Sequence, residues 1–215
     1  MRLRTHRGFT LIELMVAIAA MALLALMSWR GLDGMTRAQT VTQARGDAVL
    51  TLQTTLSQWA TDLDATIALA QLQPIDWNGS VLRITRRSGD NARPAVVVVA
   101  WTLRTDAATG AQWRRWQSPE VTTRVDWQQA WDRAATWAQD GGAVASGTEL
   151  MLMPLESWQL LYFRNGAWTA AVNAEGMANA LPDGIRLVLN LPPGTGLTGV
   201  LTRDWVRPTA AVPKT

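Results

Sequence analysis

Phe9 to Trp29 reads FTLIELMVAIAAMALLALMSW, an apolar run whose one charged residue is Glu13. About 20 apolar residues at 1.5 Å each cover the ~30 Å hydrocarbon layer of a bilayer, so this run is long enough to span as a helix. Arg2, Arg4 and Arg7 precede it and place that end in the cytoplasm by the positive-inside rule, leaving the carboxyl side extracytoplasmic. An acidic side chain costs roughly 2.5–3.5 kcal/mol at the bilayer centre and less near the interface, so Glu13 needs a reason to be there. A cleaved secretory signal is the competing reading, since Ala20-Met21-Ala22 offers a small-x-small site and a start near Leu23. That reading leaves the glutamate without a purpose.

Composition removes several function classes. The chain has no cysteine, and its one histidine, His6, precedes the apolar run, so thiolate chemistry, disulfides, Ser-His catalysis and histidine-ligated metals are absent from the body. No cofactor and no metal site is expected. The high pI, about 10.5, is partly a leader effect: without Arg2, Arg4 and Arg7, 17 basic residues face 17 acidic ones. Arg83, Arg86, Arg87, Arg93, Arg114 and Arg115 are too scattered among acids and turn residues for a phosphate-binding stripe, and read as solvated faces. Nucleic acid is therefore not an expected partner.

Gly8-Phe9-Thr10-Leu11-Ile12-Glu13-Leu14, behind a basic leader and ahead of an apolar helix, resembles the processing site of type IV prepilins and type II secretion pseudopilins. The resemblance implies cleavage after Gly8 by a prepilin peptidase and N-methylation of Phe9 by the same peptidase/methyltransferase. The new amine on Phe9 would be protonated at neutral pH, with Glu13 one turn deeper. Glu13 would then meet an amine in its own chain or, as the family implies, that of a neighbouring subunit, so that a charge penalty becomes a register signal during assembly.

After Trp29, Gly31 and Gly34 interrupt the apolar pattern and form a candidate hinge, because glycine inside a helix costs about 1 kcal/mol relative to alanine. Helical periodicity then resumes in Val41, Ala48, Val49, Leu52, Leu56, Trp59, Leu63 and Ile67, with Gln39, Gln43, Asp47, Gln58 and Asp62 falling elsewhere. A helix continuous from Phe9 to about Leu72 would be roughly 95 Å long, ended by Pro74.

The remainder reads as short strands: 81–85, 96–102, 148–153, 157–163, 185–191 and 197–206. Asn165-Gly166 between Phe163 and Trp168 signals a hairpin. The stretch 105–147 is less regular and reads as an insertion. A helix over 126–139 would gather Trp127, Trp131 and Trp137 on one arc, either covering the sheet or forming a partner-binding patch.

The expected organisation is a cleaved cytoplasmic leader (1–8), a transmembrane or filament-core helix (9–30), its amphipathic continuation (31–73), a β-rich periplasmic globular domain (74–207) and a flexible tail (208–215). The fold class is α+β, a long amino-terminal helix packed on an antiparallel sheet. Within the family, the long helix around Trp59, Trp113-Arg114-Arg115, Asn165-Gly166-Ala167-Trp168 and Leu181-Pro182-Asp183-Gly184 are similar to the J-type minor pseudopilin. That resemblance implies a non-enzymatic subunit of the inner membrane that joins I-type and K-type minor pseudopilins at a pseudopilus tip. Its other partners would be the major pseudopilin and the inner-membrane assembly platform, and its task would be the export of folded proteins.

Two rivals remain. A minor pilin of a type IV pilus would share the amino terminus. A periplasmic enzyme or lipid-binding domain released from its anchor would draw on Asp62 with Asp64 and on the Gly194-Thr195-Gly196 turn.

Overall fold

The computed structural model describes residues 9–88, 95–140, 147–171, 180–194 and 196–208. The expected leader, Arg93, Thr195 and all of the tail but Pro208 lie outside the described residues. Contacts divide the chain into two compact units, Met1–Gly46 and Asp47–Thr215.

The first helix, α1, runs from Leu11 to Asp64. From Leu52 onward its buried residues, Leu52, Thr55, Trp59, Asp62 and Leu63, recur at three and four. The helix ends ten residues before Pro74, not at it. Instead of continuing, the chain turns to pair with a strand: Thr66 bridges Arg86, the Ile67 amide donates to the Thr85 carbonyl at 3.1 Å, and the Arg87 amide donates to the Ala65 carbonyl at 3.0 Å. The ladder captures backbone groups that one more helical turn would have used, which propensity alone does not anticipate.

Two antiparallel sheets follow. The first has the order β1-β2-β3-β4-β5, built from Ile75–Trp77, Val81–Arg87, Val96–Asp106, Gly110–Gln117 and Thr148–Pro154. The second has the order β7-β6-β8-β9, from Ala167–Ala170, Ser157–Arg164, Gly184–Leu191 and Gly199–Val206. Six strands fall where alternation and β-branched runs place them. Asn165 and Gly166, at φ 52° and 80°, make the tight turn of the β6–β7 hairpin.

The stretch 105–147 departs most from expectation. It contains β4, which pairs with both β3 and β5 and so lies inside the first sheet, not outside the fold. It also contains α2, Arg124–Asp140. Thr123 caps α2: its hydroxyl donates to Asp126 at 2.7 Å and accepts from the Asp126 amide at 3.1 Å.

Each face of the first sheet has its own cover. Leu82, Ile84, Val97, Val99, Trp101 and Trp113 share one core with Trp59 and Leu63 of α1 and with the inner face of the second sheet, through Trp158, Leu160, Leu187 and Trp205. Val81, Val98, Ala100 and Trp116 on the other face pack under α2. Because strand side chains alternate between faces, the two helices sort the residues of each strand between them.

The tryptophan-patch reading is corrected here. Trp127, Trp131 and Trp137 are 4%, 4% and 1% exposed, with Ala130 and Ala134 buried between them. The Trp127 indole donates to the Thr85 hydroxyl at 3.0 Å and that of Trp137 to Glu149 at 2.8 Å. The arc covers the sheet, because one apolar helix face and one open apolar sheet face bury each other. The arginines are corrected as well. Arg83 pairs with Asp76, Arg86 and Arg115 with Asp62, and Arg114 with Glu149, all as largely buried guanidiniums; only Arg87 among those described lies on an exposed face.

Candidate functional site: the amino-terminal segment and the buried helix end

Thr10 opens α1. Its carbonyl accepts the first helical bond from the Leu14 amide at 3.2 Å, and its side chain lies within 3.4 Å of the Glu13 amide. Glu13 reaches back, its Oε2 accepting from the Thr10 amide at 2.9 Å and from the Thr10 hydroxyl at 2.8 Å. This is a reciprocal capping box, with Thr10 at the cap and Glu13 three residues in. In the uncut chain the Phe9 nitrogen is a peptide nitrogen, so the group facing Glu13 is the helix start itself and not an amine. The Thr10-Leu11-Ile12-Glu13 spacing carries the capping-box signature, yet sequence reasoning weighed Glu13 as a charge partner or an interfacial acid and passed over Thr10 as a cap.

Beyond the cap, α1 shows a run of exposed apolar side chains from Leu11, 77% exposed, to Trp29, 73% exposed. By length and composition the segment qualifies as a membrane span, and none of that window is buried within the protein.

The model of the prokaryotic N-terminal methylation motif matches residues 3–29. No curated protein matches the chain. Among solved structures, a chain of the crystal structure of the GspK-GspI-GspJ complex from the enterotoxigenic Escherichia coli Type 2 Secretion System is similar, with a TM-score of 0.50 at 15% identity. The alignment covers 76% of this chain and 99% of that one. This chain has a pseudopilin-type fold behind an N-terminal methylation motif.

Gly8, Phe9 and Glu13 all fall inside the matched motif, and of the three Gly8 lies outside the described residues. Gly31 and Gly34 lie within α1, which runs through both without a break, and a Cβ at either would meet nothing within 4 Å.

Sequence reasoning missed a heavily bonded side chain of the globular domain. Asp62, expected on the polar side of α1, is fully buried. Its carboxylate accepts from both Arg115 nitrogens at 2.7 and 2.9 Å, from the Trp101 indole at 2.9 Å, from Gln58 at 3.1 Å and from Arg86. Its spacing from Leu52, Thr55 and Trp59 was the available signal, since 52, 55, 59 and 62 share one helical face. Asp64 accepts from the Trp205 indole at 2.8 Å. The two acids thus belong to different packing contacts, which removes the acid pair that a periplasmic enzyme released from its anchor would have used. The glycines flanking Thr195 have φ of 88° and 82°, the left-handed backbone of a turn.

Proposed function

We propose that this chain is a minor pseudopilin of type II secretion, of the J type, and that it acts as a structural subunit and not a catalyst. It is held in the inner membrane by residues 9–30 with its globular domain in the periplasm. It joins I-type and K-type minor pseudopilins at the tip of a pseudopilus, primes assembly with the major pseudopilin on the inner-membrane platform, and supports export of folded proteins. The observation that carries this reading is an N-terminal methylation motif at the head of an apolar helix whose side chains the chain itself leaves uncovered. The similarity to a chain from a type II secretion complex favours this assignment over a minor pilin of a type IV pilus.

Residue roles follow from chemistry. The peptidase cuts between Gly8 and Phe9, and Phe9 is methylated. The amine so released is a cation, and in the assembled filament the carboxylate of Glu13 exchanges its Thr10 contacts for the Phe9 amine of a neighbouring subunit. Both charges lose hydration in the bundle, so the pair selects register more than it adds net stability. Gly31 and Gly34 supply the place where α1 loosens as subunits pack, since each lacks the side chain that favours helix.

Mass spectrometry of the mature amino terminus tests the reading. N-methylphenylalanine at Phe9 is expected; a chain beginning near Leu23 would mark an ordinary secreted protein and sink the proposal. Co-purification with minor pseudopilins, as opposed to pilus subunits, separates the two filament assignments. Glu13→Ala is expected to abolish incorporation into filaments while leaving membrane insertion intact.

A further inference from the structure

We infer that Trp29 and Arg30 form a headgroup anchor that fixes how deep α1 sits in the bilayer, with the Arg30 guanidinium holding a lipid phosphate of the leaflet away from the leader. The inference rests on the membrane-anchored reading above and names its partner chemistry. After Glu13, Arg30 is the next charged residue in the chain. Phe9 to Trp29 rises about 31 Å as a helix, which matches the hydrocarbon thickness, so Arg30 reaches the far interface just as the lipid phosphates do.

The neighbouring charges do not compete for it. Asp33 pairs with Arg37 at 3.0 Å, whereas Arg30 is exposed and has no ion-pair partner among the described residues. A planar guanidinium suits a phosphate through two parallel hydrogen bonds, and the adjacent indole, 73% exposed, is the amphipathic ring that headgroup regions favour. Past this point the helix carries exposed Leu32 and Met35, at 64% and 72%, so apolar character alone does not stop it from sliding about a turn deeper. The unpaired cation does.

The absence of cysteine makes the test direct, because one introduced thiol is the only thiol. Full-length chains carrying Leu26→Cys or Leu32→Cys, each alone and with Arg30→Leu, Arg30→Gln or Arg30→Lys, are placed in vesicles of phosphatidylethanolamine and phosphatidylglycerol. They are then probed with a membrane-impermeant maleimide. With Arg30 present, the thiol at 32 is labelled and that at 26 is protected. Arg30→Leu and Arg30→Gln should lose most of the labelling at 32, and Arg30→Lys should retain part of it. In galactolipid vesicles, which lack phosphate, the Arg30 and Arg30→Gln chains should label alike.

Unchanged labelling at 32 in Arg30→Gln would overturn the anchor, as would an Arg30 effect of equal size in galactolipid. Recovery of a chain starting near Leu23 in the soluble fraction is a separate result that removes the membrane-anchored reading and the anchor with it.

Discussion

Asp62, in the last turn of α1, and Arg115, in β4, stand 53 residues apart in the chain and meet as a two-point ion pair inside the core. The Arg115 side chain is 6% exposed and that of Asp62 is not exposed at all. Arg86 from β2 and the Trp101 indole from β3 converge on the same carboxylate, so one helical side chain ties α1 to three strands of the first sheet.

Asp62→Ala strands two guanidiniums in the core and should destabilise the domain by about 3–5 kcal/mol. Replacing the group together, as Asp62→Leu with Arg86→Met and Arg115→Leu, should recover or exceed the native midpoint, because packed apolar groups carry no desolvation cost. Urea unfolding followed by tryptophan fluorescence reads both. A single variant as stable as the native chain would show that the charges are not matched as described.

Trp131→Ala and Trp137→Ala should each cost about 3–5 kcal/mol, since both indoles are buried and a helix–sheet contact collapses poorly around a missing ring. Amide hydrogen exchange should rise across 124–140 and in β3, while the second sheet keeps its protection. Loss of partner binding at native stability would restore the tryptophans to an interface role.

Glu149 makes part of the domain acid-sensitive. Burial pushes its carboxyl up, but the Trp137 indole and the Arg114 and Arg104 guanidiniums together outweigh burial and hold it below the usual carboxylate range. A depressed folded pKa gives stability that is present above the unfolded value and lost as pH falls through the folded one. Unfolding midpoints of the native chain should therefore fall below about pH 4, and Glu149→Gln should flatten that limb of the profile while lowering the neutral-pH plateau.

Gly147→Ala should destabilise by about 1–3 kcal/mol. A Cβ there would sit 2.3 Å from the Trp116 indole nitrogen and 2.8 Å from the Gln117 carbonyl, and the backbone φ of 139° is itself unfavourable for a side chain. Thermal denaturation of the alanine variant checks this; an unchanged midpoint would mean that Trp116 moves aside without cost.

What was legible in the sequence is what repeats locally. The apolar run from Phe9, the acid within it, the three-four spacing of Leu52, Trp59 and Leu63, the alternation of Ile185 to Leu191 and the Asn165-Gly166 turn each depend on neighbours within a few residues, and each appears in the structure where the pattern puts it. The capping box of Thr10 and Glu13 was equally local and was overlooked because the charge of Glu13 drew the reading elsewhere.

Tertiary structure decided the rest. That Asp62 points into the core and that the α2 tryptophans are covered follow from partners 24, 39, 42 and 53 residues away, and that α1 stops at Asp64 and that β4 lies inside the sheet follow from pairing with other strands, all beyond the reach of any local period. A buried carboxylate is tolerable only where donors from other elements arrive together, and a sheet face is closed only by the helix that lands on it. Local sequence fixes which segments carry an apolar face; the assembled chain determines which face meets which, and so which polar groups must follow them inside.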